Sequence, residues 1–156
     1  MAAAINCPLL ACVALAALAL AGCEDSRCQQ VRDSCGLGDN DHCGPAEAVV
    51  KRIVDGDTVE LESGEKVRYI GVDTPEKGQP GYSEATEFNR GAVEGQTVEL
   101  IYDERCRDRY NRLLAYVCAD ATMINEELLR EGHAKPLHIS PNTCNRETFD
   151  NIYDGF

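Results

Sequence analysis

Hydrophobic and polar positions divide the chain into three stretches. Residues 1–22 are mostly Ala, Leu and Val and carry no charged side chain. Residues 24–47 show no hydrophobic period; Gly36-Leu37-Gly38-Asp39-Asn40-Asp41 reads as part of a tether. From Ala48 onward the pattern becomes regular. Val49 to Val54 is rich in β-branched residues, and Thr58 to Glu62 alternates polar and apolar, so both read as strands. Glu62-Ser63-Gly64-Glu65 is a turn, and Val67 to Val72 is a third strand stopped by Asp73-Thr74-Pro75. Ser83 to Val93 fits a helix with Ser83 as N-cap and Ala85, Phe88 and Ala92 on one side. Thr97 to Tyr102 and Leu113 to Cys118 read as strands on either side of an Arg-rich loop. Ile124, Leu128 and Leu129 have helical spacing, with Gly132 as the residue that ends the helix. Phe149, Ile152, Tyr153 and Phe156 mark a last amphipathic helix.

The order is therefore three strands, a helix, two strands and two helices. That order suits an α+β fold: a five-stranded β-barrel of the OB type closed by three α-helices, spanning residues 48–156.

Residues 1–22 read as an export signal, because a short apolar run closes on small residues. Its ending, Leu20-Ala21-Gly22-Cys23, resembles the bacterial lipobox, in which the cysteine is acylated and becomes the first residue of the mature chain. The expectation is a lipoprotein signal peptide over 1–22, a lipidated Cys23, a Cys-containing tether over 23–47, and a monomer held at the cell envelope. The competing reading is an uncleaved membrane anchor.

Charge and cysteine content narrow the picture. The 156 residues include 15 Lys and Arg against 27 Asp and Glu, a net charge of −12. That balance excludes a broad basic surface for nucleic acid or anionic lipid, though not a local basic site. Nine cysteines point to an oxidising compartment. Cys7 and Cys12 leave with the signal and Cys23 is taken by lipid. Cys28, Cys35, Cys43, Cys106, Cys118 and Cys144 then form three disulfides, with fifteen pairings open. A zinc site at Cys28, Cys35, His42 and Cys43 is disfavoured, because no close cysteine pair is present. Asp39-x-Asp41 fails as an EF-hand, since Val50 stands where the bidentate Glu is needed.

Four short segments concentrate ionisable residues: Val54-Asp55-Gly56-Asp57-Thr58, Arg68 with Asp73-Thr74-Pro75-Glu76, Asp108-Arg109-Tyr110-Asn111-Arg112, and Ile124-Asn125-Glu126-Glu127. Each alone is an ordinary turn, strand stop or solvated loop. In this order and at these spacings they resemble the thermonuclease family, from about Val50 to about Lys135. The resemblance implies a Ca²⁺-dependent nuclease acting on DNA, RNA or both and leaving 3′-phosphates. It implies that Asp57, Asp73 and the Thr74 carbonyl hold the ion and that Glu76 lies near the attacking water. It makes Arg68 and Arg112 the phosphate-gripping arginines and places Arg109 and Tyr110 against a terminal phosphate. It gives Asn125 a structural role at a helix start. It also implies that the loops carrying Cys106 and Cys144 are neighbours, hence a Cys106–Cys144 disulfide and a tie from the tether to Cys118.

The chemistry asks for the same residue types. Ca²⁺ prefers oxygen ligands, which makes Asp suitable and His or Cys unsuitable. Glu accepts a proton from water within hydrogen-bond reach, and arginine meets two phosphate oxygens with one planar group. One departure stands out: Lys135-Pro136-Leu137-His138-Ile139-Ser140 lacks the tyrosines with which the family stacks a base, and His138 reads as a surface side chain. Residues 48–156 hold 13 basic and 21 acidic residues, a balance of −8, so the Arg-rich loop focuses charge locally. The alternative reading is a non-catalytic OB-type binding module of the cell envelope.

Overall fold

Eight strands and four helices follow one another in the computed structural model, which describes residues 27–37 and 43–155. They are α1 (Arg27–Cys35), β1 (Glu47–Asp55), β2 (Thr58–Leu61), β3 (Lys66–Tyr69), β4 (Gly71–Asp73), α2 (Tyr82–Val93), β5 (Thr97–Ile101), β6 (Leu113–Ala119), β7 (Thr122–Met123), α3 (Ile124–Arg130), β8 (Lys135–Leu137) and α4 (Arg146–Tyr153). The signal peptide over 1–22 and the lipidated Cys23 lie outside the described residues. Among the described residues no helix is long and apolar enough to cross a membrane.

The sheet runs β3-β2-β1-β5-β6-β7, and a parallel β3–β6 pairing closes it into a five-stranded mixed barrel. Alternation decides what fills it. Val50, Val59, Leu61, Val67, Tyr69, Leu100, Leu113, Ala115 and Val117 are buried. Leu128 and Leu129 from α3 join the same core. The expected OB-type α+β fold is therefore present, with one helix more than expected.

That extra helix is α1, inside the segment read as a tether. Its apolar content is too low for a helical period to show. Cys28 and Val31 are nevertheless fully buried in the core. Covalent ties account for the placement: Cys28 bonds Cys118 on β6, Cys35 bonds Cys144, and Cys43 bonds Cys106. The three cysteines of the zinc reading are thus all used in disulfides. The expected Cys106–Cys144 bond is not formed, although the two loops do adjoin. Asn142 accepts from the Arg105 N–H (2.7 Å) and donates to the Arg105 carbonyl (2.8 Å), and the Cys144 N–H donates to Asp103 (3.2 Å). Hydrogen bonds join the loops to each other, and the two cysteines pair instead with Cys43 and Cys35, at Cα separations of 5.0 and 5.7 Å. The expected tie to Cys118 is present, from Cys28.

Two other local expectations change. The third strand, read as continuous, breaks between β3 and β4 at Gly71, whose φ is +79°. A Cβ there would lie 2.4 Å from a ring carbon of Phe149, so α4 packs where only glycine leaves room. The chain then turns away from the barrel, and β4 pairs with β8 in a separate two-stranded sheet. Helix α2 is capped by Gly81 (φ 88°) and starts at Tyr82, which places Ser83 inside the first turn rather than at the cap. Its buried residues are Ala85, Thr86, Asn89 and Val93, with Phe88 and Ala92 partly buried beside them. Helix α3 ends as expected at Gly132. The Gly132 N–H bonds the Leu129 carbonyl (3.0 Å) and the His133 N–H bonds the Leu128 carbonyl (2.8 Å), the paired pattern of a Schellman cap.

Candidate functional site

The first part of the site is a corner where the β1–β2 turn meets the end of β4. Gly56 makes the approach possible: a Cβ there would lie 2.7 Å from the Thr74 hydroxyl and 2.8 Å from Ala85. Asp57, next in the turn, is buried. Its Oδ2 accepts from the Thr74 N–H (2.8 Å) and the Thr74 hydroxyl (3.0 Å), and its Oδ1 accepts from the Thr58 hydroxyl (3.1 Å).

Arg68 reaches the same corner from β3. Its Nε lies 3.1 Å from Asp57 Oδ1 and its Nη2 lies 3.1 Å from Asp73 Oδ1. Its Nη1 donates to the Tyr69 carbonyl (2.7 Å) and the Val72 carbonyl (2.8 Å), so the same side chain braces the bend at Gly71. One guanidinium thus pairs with two carboxylates, leaving the trio one negative charge, and satisfies two backbone acceptors. Asp55 stands just behind. Burial, and then the Asp57 charge, raises its carboxyl above the ordinary carboxylate value.

Asp73 and Glu76 are exposed. The Glu76 carboxylate forms no hydrogen bond or ion pair with a described residue. Its backbone is held: Gln79 Oε1 accepts from the Glu76 N–H (2.9 Å), and the Gln79 N–H donates to the Glu76 carbonyl (2.8 Å). The residues expected to hold a cation fit one in kind. Asp57, Asp73 and the Thr74 carbonyl are all hard oxygen donors, and that carbonyl accepts no hydrogen bond from a described residue. Arg68 meanwhile supplies the positive charge between the two carboxylates.

The second part is the loop before β6. Asp108 organises it. Its Oδ1 accepts from the Tyr110 and Arg112 N–H groups (2.9 and 3.0 Å), and its Oδ2 accepts from Arg112 Nε (2.7 Å). Burial raises the Asp108 carboxyl, but the Arg112 side chain and these N–H donors outweigh it and hold the group below its ordinary value. Asn111 adopts φ +64°, a left-handed geometry that Asn tolerates. Tyr110 is 64% exposed, with the Arg109 guanidinium 4.7 Å and the Arg112 guanidinium 5.5 Å from its ring centre.

The two parts meet along the barrel wall. In the parallel β3–β6 pair Val67 faces Leu113 and Arg68 faces Leu114, so Arg112, one residue before the ladder, shares the outward face of Arg68. No hydrogen bond or ion pair among the described residues joins Arg109, Tyr110 or Arg112 to Asp57, Asp73 or Glu76. Asn125 has the structural role expected of it: fully buried, it accepts from the Val117 N–H (2.9 Å) and donates to the Ile70 carbonyl (2.8 Å). His138 differs from expectation. Its ring is 2.7 Å from Asp150 on α4 and largely covered, rather than a lone surface side chain.

Sequence reasoning gave no role to Asp108 or Asn89. Asn89, fully buried, accepts from the Tyr69 hydroxyl (2.8 Å) and donates to the Asp55 carbonyl (3.0 Å), fixing the turn that carries Asp57. The available signal for Asp108 was its place at the start of a turn, where a short carboxylate binds the following N–H groups. Asn89 had none, since a polar residue on a helix reads as exposed.

The profile of the family described as staphylococcal nuclease homologue matches residues 66–153. The chain belongs to that family. The match takes in Arg68, Asp73, Thr74, Glu76, Arg109, Tyr110 and Arg112, and begins after Asp57. Among curated proteins, this staphylococcal nuclease homologue is 40% identical over 102 residues to a thermonuclease of Staphylococcus hyicus, covering 60% of each chain. It is 41% identical over 103 residues to the endonuclease YncB of Bacillus subtilis, covering 59% of this chain and 49% of that protein. An uncharacterized endonuclease of Escherichia coli O157:H7 is 35% identical over 96 residues, covering 59% of this chain and 61% of that protein. The chain thus spans between about half and three fifths of the length of these relatives.

Proposed function

We propose that the chain is a nuclease that hydrolyses phosphodiester bonds of DNA, RNA or both, depends on Ca²⁺ and leaves 3′-phosphates. The observation that carries this reading is the corner itself. Two carboxylates and a carbonyl that accepts no hydrogen bond from a described residue come together at this corner, Glu76 follows two residues later with its carboxylate bonded to no described residue, and Arg112 shares the outward face that leads to it.

Hydrolysis adds water to phosphorus, breaks the bond to the 5′-oxygen and concentrates negative charge on the phosphoryl oxygens. Glu76 takes the water's proton; no described residue bonds to its carboxylate. Arg112 meets the phosphoryl oxygens with its two terminal nitrogens, because Asp108 already holds its Nε. Arg109 and Tyr110 hold a neighbouring phosphate. Arg68 keeps the carboxylates in place and extends its remaining N–H to the phosphate. Bound Ca²⁺ supplies positive charge that lowers the cost of this negative transition state. Asp57, Asp73 and the Thr74 carbonyl are the residues that would hold it.

The three disulfides support export, since such bonds persist in oxidising compartments. Leu20-Ala21-Gly22-Cys23 supports attachment to the membrane through a lipidated Cys23.

One observation favours the binding-module reading. Arg68 already pairs with both carboxylates, so part of their charge is compensated without an ion. Incubation with single-stranded DNA in Ca²⁺ or in EGTA separates the two readings. Cleavage in Ca²⁺ that EGTA abolishes supports the nuclease. Binding without cleavage in either buffer overturns it in favour of the module.

A further inference from the structure

A cleft of about 420 Å³ opens beside the corner without containing Asp57, Arg68 or the Arg109–Arg112 loop. Asp73 and Thr74 form one edge. Gln79, His133, Lys135 and Tyr153 line the rest, brought from the loop after β4, the turn after α3, the start of β8 and the end of α4. Its volume lies within the range of small-molecule sites, about 300–1,000 Å³, and suits one nucleotide.

Three observations define its occupant. The first is charge. Asp73 and Lys135 are directly opposed in the β4–β8 pair and point to the same side. Asp73 pairs with Arg68, while Lys135 has no ion pair among the described residues. Ten of the chain's fifteen basic side chains are tied to carboxylates among the described residues, and Lys135 is one of the five that are not. Lys77, on the loop between Thr74 and Gln79, also has no ion pair among the described residues. The second is ring surface: Tyr153 is 40% exposed and offers a face to a base, beside the partly exposed His133, whose ring packs against Phe88 at 5.0 Å between centres. The third is direction. The Arg109–Arg112 loop lies beside the Lys66 end of β3, and the cleft lies at the Asp73 end of β4, with Arg68 between them.

We infer that this cleft is a second nucleotide subsite. It takes the unit of the same strand on the far side of the cleaved phosphate from Arg109 and Tyr110. The inference rests on the nuclease reading and adds where the strand leaves the site. Lys135 meets a backbone phosphate and Tyr153 meets the base.

Fluorescence anisotropy on the full chain in EGTA tests this with two ligands: a labelled single-stranded DNA octamer, and a labelled nucleoside 3′,5′-bisphosphate too short to reach the cleft. Lys135→Gln is expected to weaken octamer binding several-fold and to reduce the salt slope of log Kd by about 0.7, the loss of one phosphate contact on a single strand. Bisphosphate binding should stay unchanged, and Lys135→Arg should restore the slope. Tyr153→Ala is expected to weaken the octamer about fivefold or more with the slope intact, because stacking carries no counterion release. Thermal melts of each variant confirm that it is folded. Unchanged octamer affinity and slope in a folded Lys135→Gln chain overturn the subsite and leave the nuclease reading standing. Equal weakening of both ligands also overturns it, since Lys135 would then act on the Asp73 corner. An unsubstituted chain that binds neither ligand in EGTA and does not cleave single-stranded DNA in Ca²⁺ removes the nuclease reading, and this inference with it.

Discussion

Arg68 and Arg112 share one face of the barrel, yet they belong to unlike surroundings. Arg68 is built in: its side chain is 13% exposed, it faces two carboxylates, and it donates to two backbone carbonyls at the β3–β4 bend. Among the described residues the Arg112 guanidinium is held at one nitrogen, by Asp108 four residues earlier, on a loop that also carries the exposed Tyr110. The two arginines therefore divide the labour. One fixes the geometry of the acidic corner, and the other presents a charged fork to whatever enters. The sequence alone lists them as an equivalent pair, and only the count of committed donors separates them.

Four experiments break or sharpen that comparison. The largest effect is expected from Arg68→Ala. It leaves Asp57 buried without its cation and the bend without its brace, and should cost about 3–5 kcal/mol of stability in a denaturant melt. If Arg112→Ala destabilises the fold equally, the contrast is wrong.

Next comes removal of the tie that holds the loop side. Cys43→Ser with Cys106→Ser opens a covalent link between residues 63 apart in sequence. It should lower stability by about 2–4 kcal/mol and raise KM more than it lowers kcat, because the Arg-rich loop loosens while the corner stays intact. Stability and KM equal to those of the parent chain would show that hydrogen bonds alone position the loop.

Arg112→Lys follows, with kcat reduced about 10²-fold and the melting temperature nearly unchanged. Lysine keeps a charge but has no second terminal nitrogen and no Nε for Asp108. Near-normal kcat would return Arg112 to the role of a surface side chain.

The smallest effect concerns Asp108→Asn, which should cost about 1 kcal/mol by weakening the turn. The Asp108 carboxyl is held below its ordinary 3.8, so its stabilisation is complete above that value and is lost as pH falls through the lower folded-state value. The substitution should flatten acid unfolding in that window only. An unaltered acid limb would show that Arg112 does not depend on this carboxylate.

The acidic corner was legible in the sequence because its residues announce their chemistry by type and spacing. Asp57, Arg68, Asp73, Thr74 and Glu76 lie within twenty positions, on strand ends that alternation identifies. Its support was not legible. Asn89 sits on a helix some thirty residues from the Asp55 carbonyl it holds, and nothing local marks a buried asparagine. The same limit applies to the cleft beside Asp73, whose wall residues come from four separate elements.

The barrel strands, helices α2 to α4, the Gly132 helix end and the set of chemically able side chains follow from the sequence, because periodicity, capping and residue type act over a few positions. Tertiary structure decided the rest. Fifteen cysteine pairings are equivalent on paper, and which bonds form depends on Cα atoms brought within about 5–7 Å by folding. Helix α1 packs into the core because two of those bonds hold it there, not because its own pattern is amphipathic. The break at Gly71 follows from a ring on α4 nearly eighty residues later that fills the space a side chain would need. Arg68 became a brace because the bend at Gly71 folds the Tyr69 and Val72 carbonyls and Asp73 back onto it while the β2–β3 pairing brings Asp57 alongside, a backbone geometry that side-chain periodicity does not encode.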